Sequence, residues 1–208
     1  MFSLLKSDFD KKILGCADGP ASFNAELSEI GGNIISIDPI YEFSAEQIRL
    51  RIDNVYPQIM DQVSKNKEDY VWANIRDLNE LGKARLNAME VFLHNYEQGR
   101  ELGRYIDVSL PTLPFNKNEF GLALCSHYLF LYSEHVNQEQ HILSMRELCR
   151  VASEVRVYSL LSIGSNEKSP HLEPVISALM NSGIDVSLVP VEYEFQKGAT
   201  EMQVAKCV

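Results

Sequence analysis

The most constraining stretch of the sequence is an apolar run, Ile13-Leu14-Gly15-Cys16, that enters the turn Ala17-Asp18-Gly19-Pro20-Ala21. A helical pattern over Ser22–Ile30 follows and is stopped by Gly31-Gly32. A second apolar run, Asn33–Asp38, is rich in Ile and ends in the acid. This order predicts a strand, a tight turn, a helix and a second strand with a carboxylate at its tip. Such a unit suits a nucleoside, because a glycine-bearing turn lets backbone approach the ligand and a carboxylate accepts two ribose hydroxyls. It is no dinucleotide fingerprint, since Ala17 and Pro20 stand where GxGxxG requires glycine. On its own, a turn of this kind can also do no more than join a strand to a helix.

The alternation continues along the chain. Short apolar runs at Lys12–Gly15, Asn33–Asp38, Tyr105–Val108, Leu122–Ser126, Glu154–Leu161, Asp185–Val191 and Glu201–Cys207 read as seven strands. Helical patterns at His141–Ala152 and from Ser169 (N-cap) and Pro170 to Asn181 lie between later strands. Strands alternating with helices predict right-handed crossovers and a parallel sheet. The last two strands flank Gln196-Lys197-Gly198, which predicts a hairpin and an antiparallel final strand. The expected fold is therefore α/β: a Rossmann-like, seven-stranded, mostly parallel sheet with a C-terminal antiparallel hairpin.

One crossover is oversized. Roughly 60 residues, 44–103, separate the second and third strands, where about a dozen suffice. Ser44-Ala45-Glu46-Gln47 has capping-box form, and Ile48, Ile52, Val55, Ile59 and Val63 mark one helix face. Leu78, Leu81, Ala88, Met89, Phe92 and Tyr96 mark a second helix, after a polar break at Lys65–Asp69. Residues 44–103 are read as an inserted helical subdomain or lid, and residues 1–43 with 104–208 as the sheet domain.

A formal net charge of -10 and the lack of Lys/Arg clusters argue against general nucleic-acid binding. Cys16, Cys125, Cys149 and Cys207 form no CxxC pair and fit no zinc spacing. They are expected to be reduced, in a cytoplasmic protein. The first residues are too short and too soon charged for a signal peptide, and no run has the length of a membrane span.

Beyond the opening unit, three features narrow the reading: Leu113-Pro114-Phe115 followed by Phe120 and a strand, the strand Leu122-Ala123-Leu124-Cys125-Ser126 running into His127-Tyr128, and the terminal hairpin. With these, the chain resembles the class I S-adenosylmethionine-dependent methyltransferases over all but the helical insert. Cys125-Ser126-His127, Phe130–Ser133 and Ser169–Pro174 resemble more narrowly an uncharacterised bacterial methyltransferase-like group. The resemblance implies S-adenosylmethionine as cofactor and methyl transfer to a small-molecule acceptor. It implies that Gly15, Cys16, Ala17 and Asp18 cradle the methionine part, that Asp38 takes the ribose with Pro39 and Ile40 beside the adenine, and that Ser109 and Leu110 flank the adenine. Cys125 and Ser126 then line the methyl-transfer site. Several positions depart from the family's pattern: Ile13 replaces an acid, Ala17 and Ala21 replace glycines, and Gly121 and Ser109 stand where acids are common.

The general-base candidate is His127, directly after the fourth strand. A histidine packed there to shape the pocket is the competing reading. Glu134 and His135 lie further along, and His94, His141 and His171 suit surface or packing roles. The alternative to an enzyme is a member of the same fold that binds S-adenosylmethionine or S-adenosylhomocysteine without catalysis, as a regulatory or scaffold protein. The two apolar helix faces of the insert also leave room for a homodimer. No membrane partner and no metal is expected.

Overall fold

A computed structural model describes residues 1–207. The strands are β1 (Lys12–Cys16), β2 (Asn33–Ile37), β3 (Tyr105–Ile106), β4 (Leu122–Ser126), β5 (Glu154–Tyr158), β6 (Asp185–Pro190) and β7 (Glu201–Lys206). The helices are α1 (Phe23–Glu29), α2 (Ala45–Lys65), α3 (Leu78–Glu101), α4 (Gln138–Val151) and α5 (Leu172–Met180). One sheet holds all seven strands in the order β3-β2-β1-β4-β5-β7-β6. β1 to β5 run parallel, and β7 lies antiparallel between β5 and β6. This is the Rossmann-like sheet that the resemblance implies, with its antiparallel end.

Strand order reverses at β1, which pairs with β2 on one side and β4 on the other. Open α/β sheets bind ligands in the crevice outside the carboxyl ends of the strands at such a switch point. Here the register sets Cys16 beside both Ile37 and Cys125, so β1, β2 and β4 end level. Residues 17, 38 and 126 therefore emerge together.

Both faces of the sheet are buried, as a parallel sheet requires. Leu14, Ile37, Ala123, Val155 and Val157 face Met145 and Leu148 of α4 and Val175 and Leu179 of α5. Ile13, Ile34, Leu122, Leu124 and Tyr158 face Leu27 of α1 and Phe2. A third cluster joins α2 and α3 to the sheet edge: Tyr41, Phe92, Tyr96 and Tyr105 pack ring against ring around Ile48 and Ile52. Each such aromatic pair contributes about 0.5–1.5 kcal/mol beyond area burial. Among the described residues no helix is long and apolar enough to cross a membrane.

Several boundaries differ from the sequence expectation. α4 starts one turn earlier, because Asn137 and Gln140 close a capping box. α5 starts at Leu172 rather than after Ser169, whose hydroxyl accepts from His171 N–H at 3.1 Å and lies 2.6 Å from Ser133 Oγ. β3 has only two residues, and β5 stops at Tyr158 because the following backbone turns to pair with residues 167–169. One expectation is overturned: Cys149 and Cys207 form a disulfide, while Cys16 and Cys125 are free and buried. The two partners are 58 residues apart in sequence. They meet because the end of α4 packs beside the end of β7, which sequence spacing does not reveal.

The N-terminal segment is strapped to the sheet by charge. Arg156 on β5 is largely buried; its Nη1 lies 3.0 Å from Asp8 Oδ2 and 3.0 Å from Phe2 O, and its Nε pairs with Glu154 at 2.6 Å. Burial works to raise the Asp8 pKa, but hydrogen bonds from Lys11 and Leu5 N–H and the Arg156 charge hold it below the usual value. This contribution is complete at neutral pH and is lost as pH falls through the depressed pKa. Asp8→Ala is expected to cost about 3 kcal/mol in urea unfolding at pH 7 and less near pH 2, well below the unfolded carboxylate value. An equal cost at both pH values contradicts the pairing.

Candidate functional site

The turn after β1 is built around two carboxylates. Gly15 is needed at its position because a Cβ there runs into the Asp18 side chain. Asp18 folds back over Gly15 and accepts a hydrogen bond from Ser36 Oγ at 2.6 Å. Asp38, at the tip of β2, accepts from Gly19 N–H at 3.0 Å with one oxygen and from Ile40 N–H at 2.9 Å with the other. The Tyr41 hydroxyl donates to Gly19 O at 2.8 Å. Gly19 and Ala17 both hold left-handed backbone, with φ of 56° and 55°. At position 17, where the family pattern has glycine, the alanine keeps the conformation that glycine would adopt, at a steric cost of about 1 kcal/mol.

Two cavities open at this edge. The smaller, about 270 Å³, is lined by Cys16, Asp38, Pro39, Ser109, Leu110 and Tyr128 among others. The larger, about 740 Å³, is mostly apolar: Phe2, Leu4, Phe23, Met89 and Leu124 contribute, with Ser3, Asp18, Arg85 and Ser126 among its polar members. Ala17 and His127 line both. The two cavities thus lie on either side of one junction, formed by the residue after β1 and the residue that follows β4.

His127 is held at that junction in left-handed backbone, φ 52°, with its N–H donating to Tyr158 O at 2.6 Å. Strained backbone of this kind in a bulky residue is concentrated at functional sites. Its ring meets Tyr158 edge-on at 5.5 Å, and Nδ1 lies 2.7 Å from Ser126 Oγ. Nε2 has no hydrogen-bond partner among the described residues. The ring opens onto the cavities, yet burial holds its pKa below the ordinary histidine value, with the Arg85 charge adding to the effect. The neutral ring is then the dominant form at pH 7.

The two acids at the loop are also displaced. Burial raises Asp18 to about 6, against the Ser36 hydrogen bond and with the Asp38 charge adding. Burial likewise raises Asp38, against its two backbone donors. Carboxylates kept costly to ionise in a cleft are a mark of ligand sites, where a cation or a donor from outside completes them.

Of the residues singled out from sequence, Cys16, Ala17, Asp18, Asp38, Pro39, Ser109, Leu110, Ser126 and His127 line one or both cavities. Gly15, Ile40 and Cys125 line neither. Gly15 lies beneath the Asp18 carboxylate, Cys125 is fully buried behind Cys16, and Ile40 turns its side chain into the aromatic cluster between α2 and α3. Sequence reasoning missed Phe2, Leu4 and Arg85. The signal for Arg85 was present: it stands four residues from both Leu81 and Met89, a lone charge on the apolar stripe of α3. His141, expected to pack, is fully buried between the carbonyls of Asn137 and Leu129 at 2.8 and 2.9 Å.

No family model matches the chain. An uncharacterized protein of the archaeon Methanocaldococcus jannaschii is 28% identical over 211 residues, covering 99% of this chain and 90% of that protein. Among solved structures, the chain is similar to magnesium protoporphyrin IX methyltransferase from Synechocystis PCC 6803 with bound S-adenosylmethionine. That match has TM-score 0.45 and 12% identity, over 95% of this chain and 70% of that one. It is also similar to a methyltransferase from Aquifex aeolicus, described as S-adenosylmethionine-dependent, with TM-score 0.43 and 12% identity over 95% and 81% of the two chains.

The raised Asp18 carboxyl has a consequence for stability. Its folded pKa of about 6 exceeds the unfolded value of 3.8, so stability falls as pH rises between them and the full cost to folding is present above about pH 6. Asp18→Asn, which keeps an acceptor for Ser36, is expected to raise unfolding free energy at pH 8 by on the order of 2 kcal/mol. The gain should vanish below about pH 3, under the unfolded value of 3.8, where the aspartate is protonated in both states. A destabilised variant at pH 8 means that Asp18 is ionised at no cost and the site is misdescribed.

Proposed function

We propose that this protein is an S-adenosylmethionine-dependent methyltransferase acting on a small organic acceptor. The observation that carries the reading is the pair of cavities meeting at Ala17 and His127. Methyl transfer joins two substrates at one atom, and a site for it needs two compartments with a common boundary.

The residues fit the cofactor. In the smaller cavity, Asp38 retains lone pairs for ribose hydroxyls beyond the two backbone donors it already accepts. Pro39, Leu110 and Tyr128 offer apolar walls to a purine. Across the junction, Asp18 lacks a cationic partner and would take the ammonium of the methionine part, a role left vacant by Ile13, which is wholly buried in the core. When bound, the cofactor supplies an electrophilic methyl on a sulfonium.

What the chain's own residues then do is position and deprotonate. The left-handed turn at Ala17 brings backbone to the junction without a large side chain. His127, neutral at pH 7 with Nε2 free, is set to accept the proton that a hydroxyl or ammonium acceptor loses as its bond to the methyl carbon forms. Met89 and Ala88 of α3 and the N-terminal residues Phe2 and Leu4 roof the larger cavity and keep water from the acceptor. In this reading the segment 44–103 is the cover of the site.

The test is transfer of label from methyl-tritiated S-adenosylmethionine into small-molecule extract fractions. Wild-type protein is expected to label at least one fraction. His127→Ala should slow labelling about 100-fold, with S-adenosylhomocysteine affinity unchanged by calorimetry. Product binding without labelling of any fraction would replace this reading with that of a non-catalytic binder of the same ligand.

A further inference from the structure

The larger cavity contains a charge that the proposed reaction does not use. Arg85 on α3 is half-buried and lines the apolar cavity near His127. Among the described residues it makes no hydrogen bond and no ion pair. The arginines of the sheet domain are engaged: Arg104 with Asn24, Ser28 and Asn95, Arg146 with Ser182, Arg150 with Glu147, and Arg156 with Asp8 and Glu154. A guanidinium is costly to withdraw from water unless an anion or several acceptors meet it. A guanidinium without a partner in a mostly apolar cavity is therefore a recognition element whose partner comes from outside.

We infer that the acceptor is an apolar organic acid, whose carboxylate pairs with Arg85 while its hydrocarbon body fills the cavity between the N-terminal segment and α3. The inference deepens the methyltransferase reading and rests on it for the identity of the cavity as the acceptor's. Carboxylate could also come from the methionine part of the cofactor. Two observations favour the acceptor. Arg85 sits on α3, as do Ala88 and Met89, which line the same cavity. His127, the proposed base, lines the same cavity, and the Arg85 charge adds to the burial that lowers its pKa. The anion site thus shares its cavity with the proposed base. With a net charge of -10 on the chain, a cation lining the cavity is also what lets an anionic molecule enter and reside there.

The pairing can be read without knowing the natural acceptor. The probes are 3-hydroxy-2-naphthoate and its carboxamide, titrated calorimetrically into the full-length protein saturated with S-adenosylhomocysteine. The acid is expected to bind at least 10-fold more tightly than the amide. Arg85→Met, which preserves the apolar stem, should abolish that preference and leave S-adenosylhomocysteine affinity within twofold of wild type. Equal binding of acid and amide to wild type, or failure of both to bind, overturns the inference. A loss of S-adenosylhomocysteine affinity in Arg85→Met also overturns it, because the guanidinium then serves the cofactor. Failure of wild type to bind S-adenosylhomocysteine at all strikes the methyltransferase reading instead, and the acid–amide comparison on the unloaded protein still reports on Arg85.

Discussion

The Asp38 carboxylate is the interaction on which the site depends. It takes Gly19 N–H with one oxygen and Ile40 N–H with the other, and so ties the turn after β1 to the turn after β2. The tie extends outward. Tyr41, one residue beyond Ile40, returns its hydroxyl to Gly19 O, and the Tyr96 hydroxyl of α3 lies 2.9 Å from both Tyr41 O and Phe43 O. A continuous set of hydrogen bonds thus runs from the switch point of the sheet to the helix that roofs the larger cavity. Burial makes the ionised Asp38 costly, and its backbone donors offset part of that cost. A ligand that brought further donors would complete the balance, so that in the proposed site one residue serves as structural clamp and binding group.

The same logic explains how departures from the usual glycine pattern are accommodated. Ile13 could not be an acid without placing a charge in the core beside Ile34 and Leu122, where it is wholly buried. Asp18 brings the carboxylate from the far side of the turn, over Gly15, held by Ser36. Ala17 retains left-handed backbone despite its Cβ. The turn differs in composition while keeping an acid and a left-handed bend near the cavity junction.

What could be read from the residues was what depends on near neighbours. The alternation of apolar runs and helical patterns gave the order of elements, and Ser44-Ala45-Glu46-Gln47 predicted a capping box that forms as expected. The acid at the end of β2 was legible because strand and turn are contiguous there. The misses are long-range. Cys149 and Cys207 meet only after β7 inserts between β5 and β6. Ile40 follows Asp38 closely, yet its side chain serves the aromatic cluster, because the turn Pro39–Glu42 rotates it away from the cavity. The N-terminal segment carried no periodic signal, and its place over the sheet is set by Asp8 and Arg156, some 150 positions apart in sequence. Another pairing of this kind joins Val71 N–H to Phe195 O at 2.7 Å, with Tyr70, Trp72 and Phe195 packed together. It fastens the segment between α2 and α3 to the β6–β7 connection.

The central claim is that two compartments meet at Ala17 and His127, with the nucleoside on the Asp38 side. A crystal structure of the protein with S-adenosylhomocysteine tests it most directly. Ribose hydroxyls are expected against Asp38, the purine between Pro39, Leu110 and Tyr128, and the sulfur at the junction facing the larger cavity. Density for the ligand elsewhere, or a purine seated in the larger cavity with Asp38 left to its backbone partners alone, would contradict it.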